Sequence, residues 1–474
     1  MRTPIAAALV LSFALAPCTA SAQALFQKPL ANQAIESIDP ALKARIDSIA
    51  QQALDRTGVP SASIAVVQHG KLVYTHAYGL ALLDPKTPAT PAMRYSIGSI
   101  SKQFTAAAIL MLQEQGKLKL DDPVGKYVPG LTQGDKVTIR QVLSHTSGYQ
   151  DYWPEDYVMP PMLHPETAQQ ILDTWGKKPL DFEPGAQWQY SNTNFVIAGR
   201  IVEAVSGRPL MDLLVERVFR PLNMTSVWNS DEQKLTSTDA TPYYRHALGP
   251  LRPAPKEGRG WMFAAGELAM TPHDLALWDV SLIARSILSP ESYNQFFTEI
   301  KLNNGQGSHY GLGVEVLDRN GHRVIEHSGE VSGFVSDNVV LVDDDAAIAV
   351  LTNQDAHGAA SAIARQVTPL LVSLPAAAED QALAIYRDLL QGRIDRSLLA
   401  PNLSDYFTPE ALADYKASLA PLGEPASIRQ TAKEDRGGMT FRGFELQFPS
   451  RRLRISTYTY PDGKLEQFLV EPVQ

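Results

Sequence analysis

Ser99-Ile100-Ser101-Lys102 contains the only serine in the chain that is followed three residues later by a lysine. A serine hydroxyl is a weak nucleophile until a neighbouring group takes its proton. The pair opens an apolar, helix-like run, and residues three apart on a helix share a face, so the amine comes alongside the hydroxyl. The positive end of the helix favours the negative charge that develops as a serine acylates. The bland alternative is a surface serine at a helix start with a solvated lysine.

Two more segments carry matching chemistry. Tyr190-Ser191-Asn192 is the only Tyr-x-Asn, placed after a Pro184-Gly185 turn and before a helix. A tyrosine serves as general base only if its pKa falls from about 10 toward neutrality, which takes on the order of 4 kcal/mol of phenolate stabilisation. A lysine ammonium in a partly buried site would supply it. Asn192 offers an amide donor and acceptor to a substrate amide. His327-Ser328-Gly329 reads as the end of a strand, where a glycine lets a substrate backbone approach. The N–H of the next residue, Glu330, would pair with that of Ser99 as an oxyanion hole. His327 would orient the substrate or join the proton network.

The elements that must position these groups are legible from periodicity. Helical patterns cover 42–56, 104–115, 139–143, 167–175, 194–205 and 268–283. A hairpin runs through 63–67 and 72–74 about Gly70. Strands return at 311–317, 324–327, 339–342 and 347–351. Strands early and late with helices between them imply one sheet assembled from both ends, with a helical lobe inserted. A break near 375–379 precedes a different region. There, helices at 381–390 and 409–419 lead to strands at 439–448, 453–460 and 467–470, a small α+β domain.

The chain has 474 residues, enough for two or three domains. With 44% hydrophobic and 20% charged residues it has the composition of an ordinary folded protein. A net charge of −9 argues against a nucleic-acid groove. There is no Cys-x-x-Cys and no His-Glu-x-x-His, so no metal or cofactor is signalled. Residues 1–22 read as a signal peptide: Arg2, an apolar run over 5–16, and Ala20-Ser21-Ala22 before a cut at Gln23. That run is too short to span a bilayer, and no later run is long enough. Pro17 before Cys18 argues against a lipoprotein signal. Cys18 is the only cysteine, so the exported chain, periplasmic or secreted, would carry no thiol.

The ordered set Ser-x-x-Lys, Tyr-x-Asn and His-Ser-Gly resembles the serine β-lactamase and DD-peptidase superfamily. Within it, the set is most similar to the class C β-lactamase-related esterases and D-amino-acid peptidases. Further landmarks support the likeness: Leu120-Asp121-Asp122-Pro123-Val124, Leu143-Ser144-His145-Thr146-Ser147-Gly148, Phe182-Glu183-Pro184-Gly185 and Tyr310-Gly311-Leu312-Gly313. The resemblance implies an α/β (α+β) fold, with a β-lactamase/transpeptidase-like domain over 23–375. That domain has a mainly antiparallel sheet flanked by helices and a helical lobe; the α+β domain, of unknown role and partner, covers 380–474 and faintly resembles cystatin-like or nuclear-transport-factor-like folds. It implies Ser99 as nucleophile, Lys102 with Tyr190 as proton relay, and Asn192, His327, Ser328 and Gly329 as substrate-side groups. His145 is read as structural.

Two departures from the β-lactamase pattern bear on the substrate. His327 stands where those enzymes carry the lysine of Lys-Thr-Gly, and an unperturbed histidine is mostly neutral near pH 7. Ser336-Asp337-Asn338 spells a class A motif but follows His327 instead of preceding it, so it is taken as coincidence. Tyr149, Tyr152, Trp153, Trp188, Trp261 and Phe263 are candidates to line an acyl or peptide pocket, core packing being the commoner use of such rings. The expected activity is acyl-enzyme hydrolysis of a small-molecule or peptide substrate, an ester or an amide with D-residues. The alternatives are a β-lactamase and a non-enzymatic, penicillin-binding-like sensor of cell-wall fragments.

Overall fold

The computed structural model describes residues 35, 37–319, 321–355, 358–372 and 378–473. The signal-peptide segment, 1–22, lies outside them. The chain divides into two compact units, one formed by residues up to Arg319 and Arg323–Thr368, the other by Asn320–His322 and Pro369–Gln474.

The first unit opens with α1 (Pro40–Thr57). Asp39 accepts from the Ala41 and Leu42 amides at 3.0 Å, Pro40 takes the position whose N–H has no helical partner, and Gly58 closes the helix in the left-handed region. Next come β1 (Ser61–Gln68), β2 (Lys71–Leu83) and the short β3 (Lys86–Pro88). β1 is buried on both faces because it ends up central. The sheet order is β3-β2-β1-β8-β7-β6-β5, where β5 is Glu315–Arg319, β6 His322–Val331, β7 Phe334–Leu341 and β8 Ala346–Thr352. β1 pairs antiparallel with β8, Ile64 opposite Val350, so the sheet joins the two ends of the unit as the strand order required. Between them lie α2 (Ser101–Glu114), the short helices Ile139–Leu143 and Ala168–Thr174, and α3 (Asn192–Ser206), which packs on α2. α2 is buried from Ser101 through Leu112, which explains its all-round apolar character.

Three expectations are corrected. The stretch 268–283 is a strand followed by a helix: β4 (Leu268–Met270) pairs with Tyr95–Ser96, and α4 (Pro272–Ala284) starts at its proline, capped by Thr271. Proline lacks the N–H that a helix interior uses, so it marks the first turn and frees the preceding residues to pair. α4 packs on β1, β2 and β8. The strand expected to end at His327 continues to Val331, because β7 supplies partners along its length, His327 opposite Asn338 and Glu330 opposite Val335. Residues 311–314 form an approach to β5 and are not part of it.

The second unit holds α5 (Ala378–Leu390), α6 (Pro409–Leu419) and an antiparallel sheet of β9 (Ser427–Arg436), β10 (Met439–Gln447), β11 (Arg452–Thr459) and β12 (Leu465–Pro472) in sequential order. Its own core gathers Tyr386, Leu389, Phe407, Phe444, Leu446, Ile455 and Phe468. β9 was not expected. It is a mostly exposed edge strand with few apolar residues, so it carries no alternation to read. Among the described residues no helix is long and apolar enough to cross a membrane.

Candidate active site

Ser99 sits in a 3₁₀ turn, Gly98–Ile100, that feeds directly into α2. The turn is held on both sides. The Ile97 amide donates to Leu268 O at 2.9 Å, and the Leu268 amide donates to Ser101 Oγ at 3.1 Å. Two glycines let it lie against β6 backbone to backbone. Gly98 has φ +52°, and a Cβ there would come 2.7 Å from the Glu330 nitrogen. A Cβ on Gly329 would come 1.9 Å from Ile97 O. The Glu330 amide is thereby brought beside the Ser99 turn, as an oxyanion pair requires.

One helical turn on, Lys102 is wholly buried. Its Nζ lies 2.8 Å from Ser99 Oγ, 2.8 Å from Asn192 Oδ1 and 2.9 Å from Ala265 O. The last two can only accept. A neutral amine donates its two N–H bonds to them and points its lone pair at the serine hydroxyl. Burial pulls the lysine down to about 7, against an upward pull from Asp151.

Tyr190 arrives on the loop before α3, propped by the His145 loop. Gln189 N donates to His145 O at 3.0 Å and Ser191 N to His145 Nδ1 at 3.1 Å. The His145 ring packs 4.2 Å from the Tyr190 ring. Burial drives His145 well below the usual histidine range, so it is neutral, with its proton on Nε2. The Tyr190 hydroxyl hydrogen-bonds Ser99, and Lys102 Nζ lies 5.0 Å from its ring centre. The three side chains therefore converge. The expected depression of the tyrosine does not occur: burial pushes it upward, and the Ser99 hydrogen bond offsets only part of that. Both groups share one dry pocket, where desolvation penalises charge on each, and the neutral pair is favoured over the ion pair.

Asn192 has a role beyond the expected one. Its Oδ1 accepts from Lys102, and its Nδ2 donates to Asp151 Oδ2 at 3.3 Å and Trp153 O at 3.4 Å, so it positions the lysine while its Oδ1 keeps a second lone pair at the cavity wall. His327 is buried at the wall. Its Nε2 accepts from the Tyr310 hydroxyl at 2.8 Å, and its Nδ1 donates to Ser328 O at 2.5 Å. Burial and the nearby Lys102 drop it to about 3, so it holds no fixed positive charge.

Sequence reasoning missed Asp151. Its Oδ1 accepts from Asn192 N at 2.9 Å and Trp153 N at 3.1 Å, and its charge acts on Lys102. The available signal was a lone carboxylate inside the aromatic run Tyr149–Trp153, where a charge needs partners. The groups surround a cavity of about 710 Å³ that Ser99, Tyr190, Asn192, His327, Ser328 and Glu330 all line. Of the six expected aromatic liners, Tyr152, Trp153 and Trp188 line it. Tyr149 and Trp261 are core residues whose polar ends bond Thr132 O and His164 O, and Phe263 packs against the core.

An antiparallel sheet joined from both ends of the first unit, a helical lobe and a serine-lysine-tyrosine cluster between them are the features of serine hydrolases of β-lactamase/transpeptidase type. The model of the family described as Beta-lactamase matches residues 46–369, and the chain belongs to that family. It is 29% identical over 311 residues to penicillin-binding protein 4* of Bacillus subtilis, covering 62% of this chain and 68% of that one. It is 30% identical over 284 residues to a D-aminopeptidase of Brucella anthropi, covering 58% of this chain and 52% of the relative. A solved D-stereospecific amidohydrolase from a Streptomyces species superposes with a TM-score of 0.58 at 29% identity, over 67% of this chain and 96% of that one. The match thus spans 52% and 68% of the length of these two curated relatives.

Proposed function

We propose that the protein is an exported hydrolase that opens amides or peptides with D-residues, and esters, through an acyl-enzyme on Ser99. The observation that carries this reading is the Lys102 amine, 2.8 Å from Ser99 Oγ with its other two bonds fixed on acceptors. Ser99 Oγ adds to the carbonyl carbon while its proton passes to the neutral Lys102 nitrogen. The carbonyl oxygen becomes an oxyanion between the amides of Ser99 and Glu330. As the C–N or C–O bond breaks, the proton is handed through the Tyr190 hydroxyl to the leaving nitrogen or oxygen. Water repeats the sequence on the acyl-enzyme: its proton goes to Lys102, its oxygen bonds the carbonyl, and Ser99 leaves with a proton. Asn192 and Asp151 hold the amine, and His145 braces Tyr190.

The D-amide preference is supported by the named activities of the D-aminopeptidase and the D-stereospecific amidohydrolase. The β-lactamase reading is disfavoured by the neutral His327, which offers no charge to a drug carboxylate. Residues 1–22 have the composition of a secretion signal; 23–375 would be the catalytic domain and 380–474 the accessory domain. The test is labelling by a fluorophosphonate, present in the wild type and abolished in Ser99→Ala. Turnover of nitrophenyl acetate well above that of a chromogenic cephalosporin then separates this reading from a β-lactamase. An unlabelled wild type returns the chain to the sensor class.

A further inference from the structure

Ser336-Asp337-Asn338, on β7, is a motif that the proposed chemistry leaves unused. None of the three residues lines the catalytic cavity. Alternation along a strand sends Ser336 and Asn338 to one face and Asp337 to the other. Asp337 hydrogen-bonds Ser361. Asn338 is wholly buried: its Nδ2 donates to the two Asp279 oxygens at 2.9 and 3.0 Å, and its Oδ1 accepts from Gln103 Nε2 at 3.3 Å. Gln103 follows Lys102 on α2, so this face of β7 lies against the helix that carries the site.

Ser336 is buried on the same face. Its Oγ donates to Ile97 O at 2.9 Å, and Gly329 O lies 3.3 Å from the same hydroxyl. One proton serves both carbonyls, with the nearer taking the larger share. Each carbonyl controls one half of the oxyanion pair. Ile97 O also accepts from Ile100 N at 3.3 Å, the bond that closes the turn around Ser99. Gly329 O belongs to the peptide unit whose N–H is that of Glu330. A trans peptide is planar and its C=O and N–H point in opposite directions, so holding Gly329 O fixes the direction of the Glu330 N–H. Gly329 and Ser336 are paired across the β6–β7 ladder. The Cβ that Gly329 lacks would fall 1.9 Å from Ile97 O and 2.6 Å from Ser336 Oγ, so both oxygens fill the notch left by the missing side chain.

We infer that Ser336 is a positioning residue for acylation: its hydroxyl ties the Ser99 turn to the Gly329–Glu330 peptide and so sets the spacing and aim of the two amides that receive the oxyanion. This rests on the hydrolase reading above and deepens it. Ser336 touches no reacting atom and acts through the backbone. Without its hydroxyl two buried carbonyls lose a donor, and the turn and the strand lose a bond between them. Oxyanion donors act only from their fixed positions, so a small drift of either amide costs rate and not substrate binding.

The test is Ser336→Ala in the full chain. Its kcat on nitrophenyl acetate should fall about 10- to 100-fold, short of the loss of a whole oxyanion donor because both amides remain. Fluorophosphonate labelling should slow, and the inhibition constant of phenylboronic acid rise, by about the same factor, since both probes form tetrahedral adducts on Ser99 with an oxygen between the amides. KM should stay within about threefold of the wild type, and the pH of the rising limb should not move, because Lys102 is untouched. Ser336→Thr keeps the hydroxyl and should return kcat to within about threefold of the wild type. If the alanine protein does not fold, Ser336→Cys is read in its place. Its thiol is a weak donor, so it should lose at least about threefold in kcat and in phenylboronic acid affinity. Wild-type values in the alanine or cysteine protein overturn the inference. So does a loss carried by KM or by a shifted limb with boronic acid affinity unchanged, or a threonine protein no better than the alanine one. Amide hydrogen exchange needs no turnover. In Ser336→Ala it should rise together over 97–100 and 328–331, and unchanged exchange in either segment overturns the tie. A rise in both, in a protein whose wild type hydrolyses nothing and takes no fluorophosphonate, refutes the hydrolase reading and supports the tie.

Discussion

Replacing Lys102 by methionine separates the lysine's catalytic use from its burden on the fold. Burial moves the amine from 10.5 to about 7. In the unfolded chain it keeps its ordinary value. Between those two values the unfolded chain holds a proton that the folded chain has released, so stability rises with pH across that window. Below about 7 both states are protonated, and the whole penalty of burying an ammonium is present. At about 1.36 kcal/mol per pH unit, that penalty is on the order of 5 kcal/mol at about pH 6 and on the order of 2 kcal/mol at about pH 9. Methionine titrates in neither state. Losing the bonds to Asn192 Oδ1 and Ala265 O adds a fixed, pH-independent amount. The unfolding free energy of the wild type relative to Lys102→Met should therefore improve by about 3 kcal/mol from about pH 6 to about pH 9. Urea unfolding followed by tryptophan fluorescence at the two pH values measures it. The variant should also lose about 10²–10⁴-fold in kcat. Parallel pH dependences for the two proteins would refute the reasoning, because a lysine with an ordinary pKa is protonated at neutral pH and cannot take the Ser99 proton.

Three other outcomes follow from the same geometry. Asp151→Asn keeps an acceptor for the Asn192 and Trp153 amides but removes the charge that raises Lys102, so the rising limb of kcat/KM against pH should move to lower pH; a limb that stays in place denies the coupling. Tyr190→Phe should lower kcat by about 10²-fold or more while leaving that limb near 7, since the lysine sets it; loss of the limb would make the tyrosine the base. Gly98→Ala forces a Cβ to within 2.7 Å of the Glu330 nitrogen from a left-handed backbone, so the turn and the amide must part. The expected loss is about 10²–10³-fold in kcat, that of an oxyanion donor, with the circular dichroism of the wild type retained.

Much of this was legible because the chemistry is concentrated in short motifs whose order survives folding. Ser99, Lys102 and Tyr190 announce themselves by residue type and spacing, and the strand-helix-strand order foretells a sheet closed from both ends. What escaped was contextual. Asp151 has no spacing partner; its role arises because the loop after Gly148 turns it onto Asn192. The contact of Asn192 with Lys102 could not be read from the Tyr-x-Asn spacing. The direction of the Tyr190 shift depends on how dry the pocket is, which no local pattern states. Among the aromatics, Trp188 and Trp261 are alike in sequence, yet one rims the cavity and the other bonds His164 O. β9 was missed for the opposite reason: an exposed edge has no apolar rhythm, and only its ladder to β10 reveals it.

The perturbed groups around Ser99 share a direction. Lys102, His145 and His327 are pulled down, and Tyr190 and Tyr310 are pushed up, all chiefly by burial. Each shift favours the uncharged form. The resting proton relay is therefore close to electrically silent. In the proposed mechanism, attack by Ser99 would change that in one step, creating an ammonium on Lys102 and an oxyanion on the substrate in a medium that screens poorly. Their attraction exists only after the proton has moved, so it stabilises the transition state and not the bound substrate, which is the condition for raising kcat. A permanently charged lysine-phenolate pair would spread the same attraction over the resting enzyme and gain nothing at the barrier. Desolvation, usually counted against buried ionisable groups, would here let the lysine serve the proposed role of base near neutral pH.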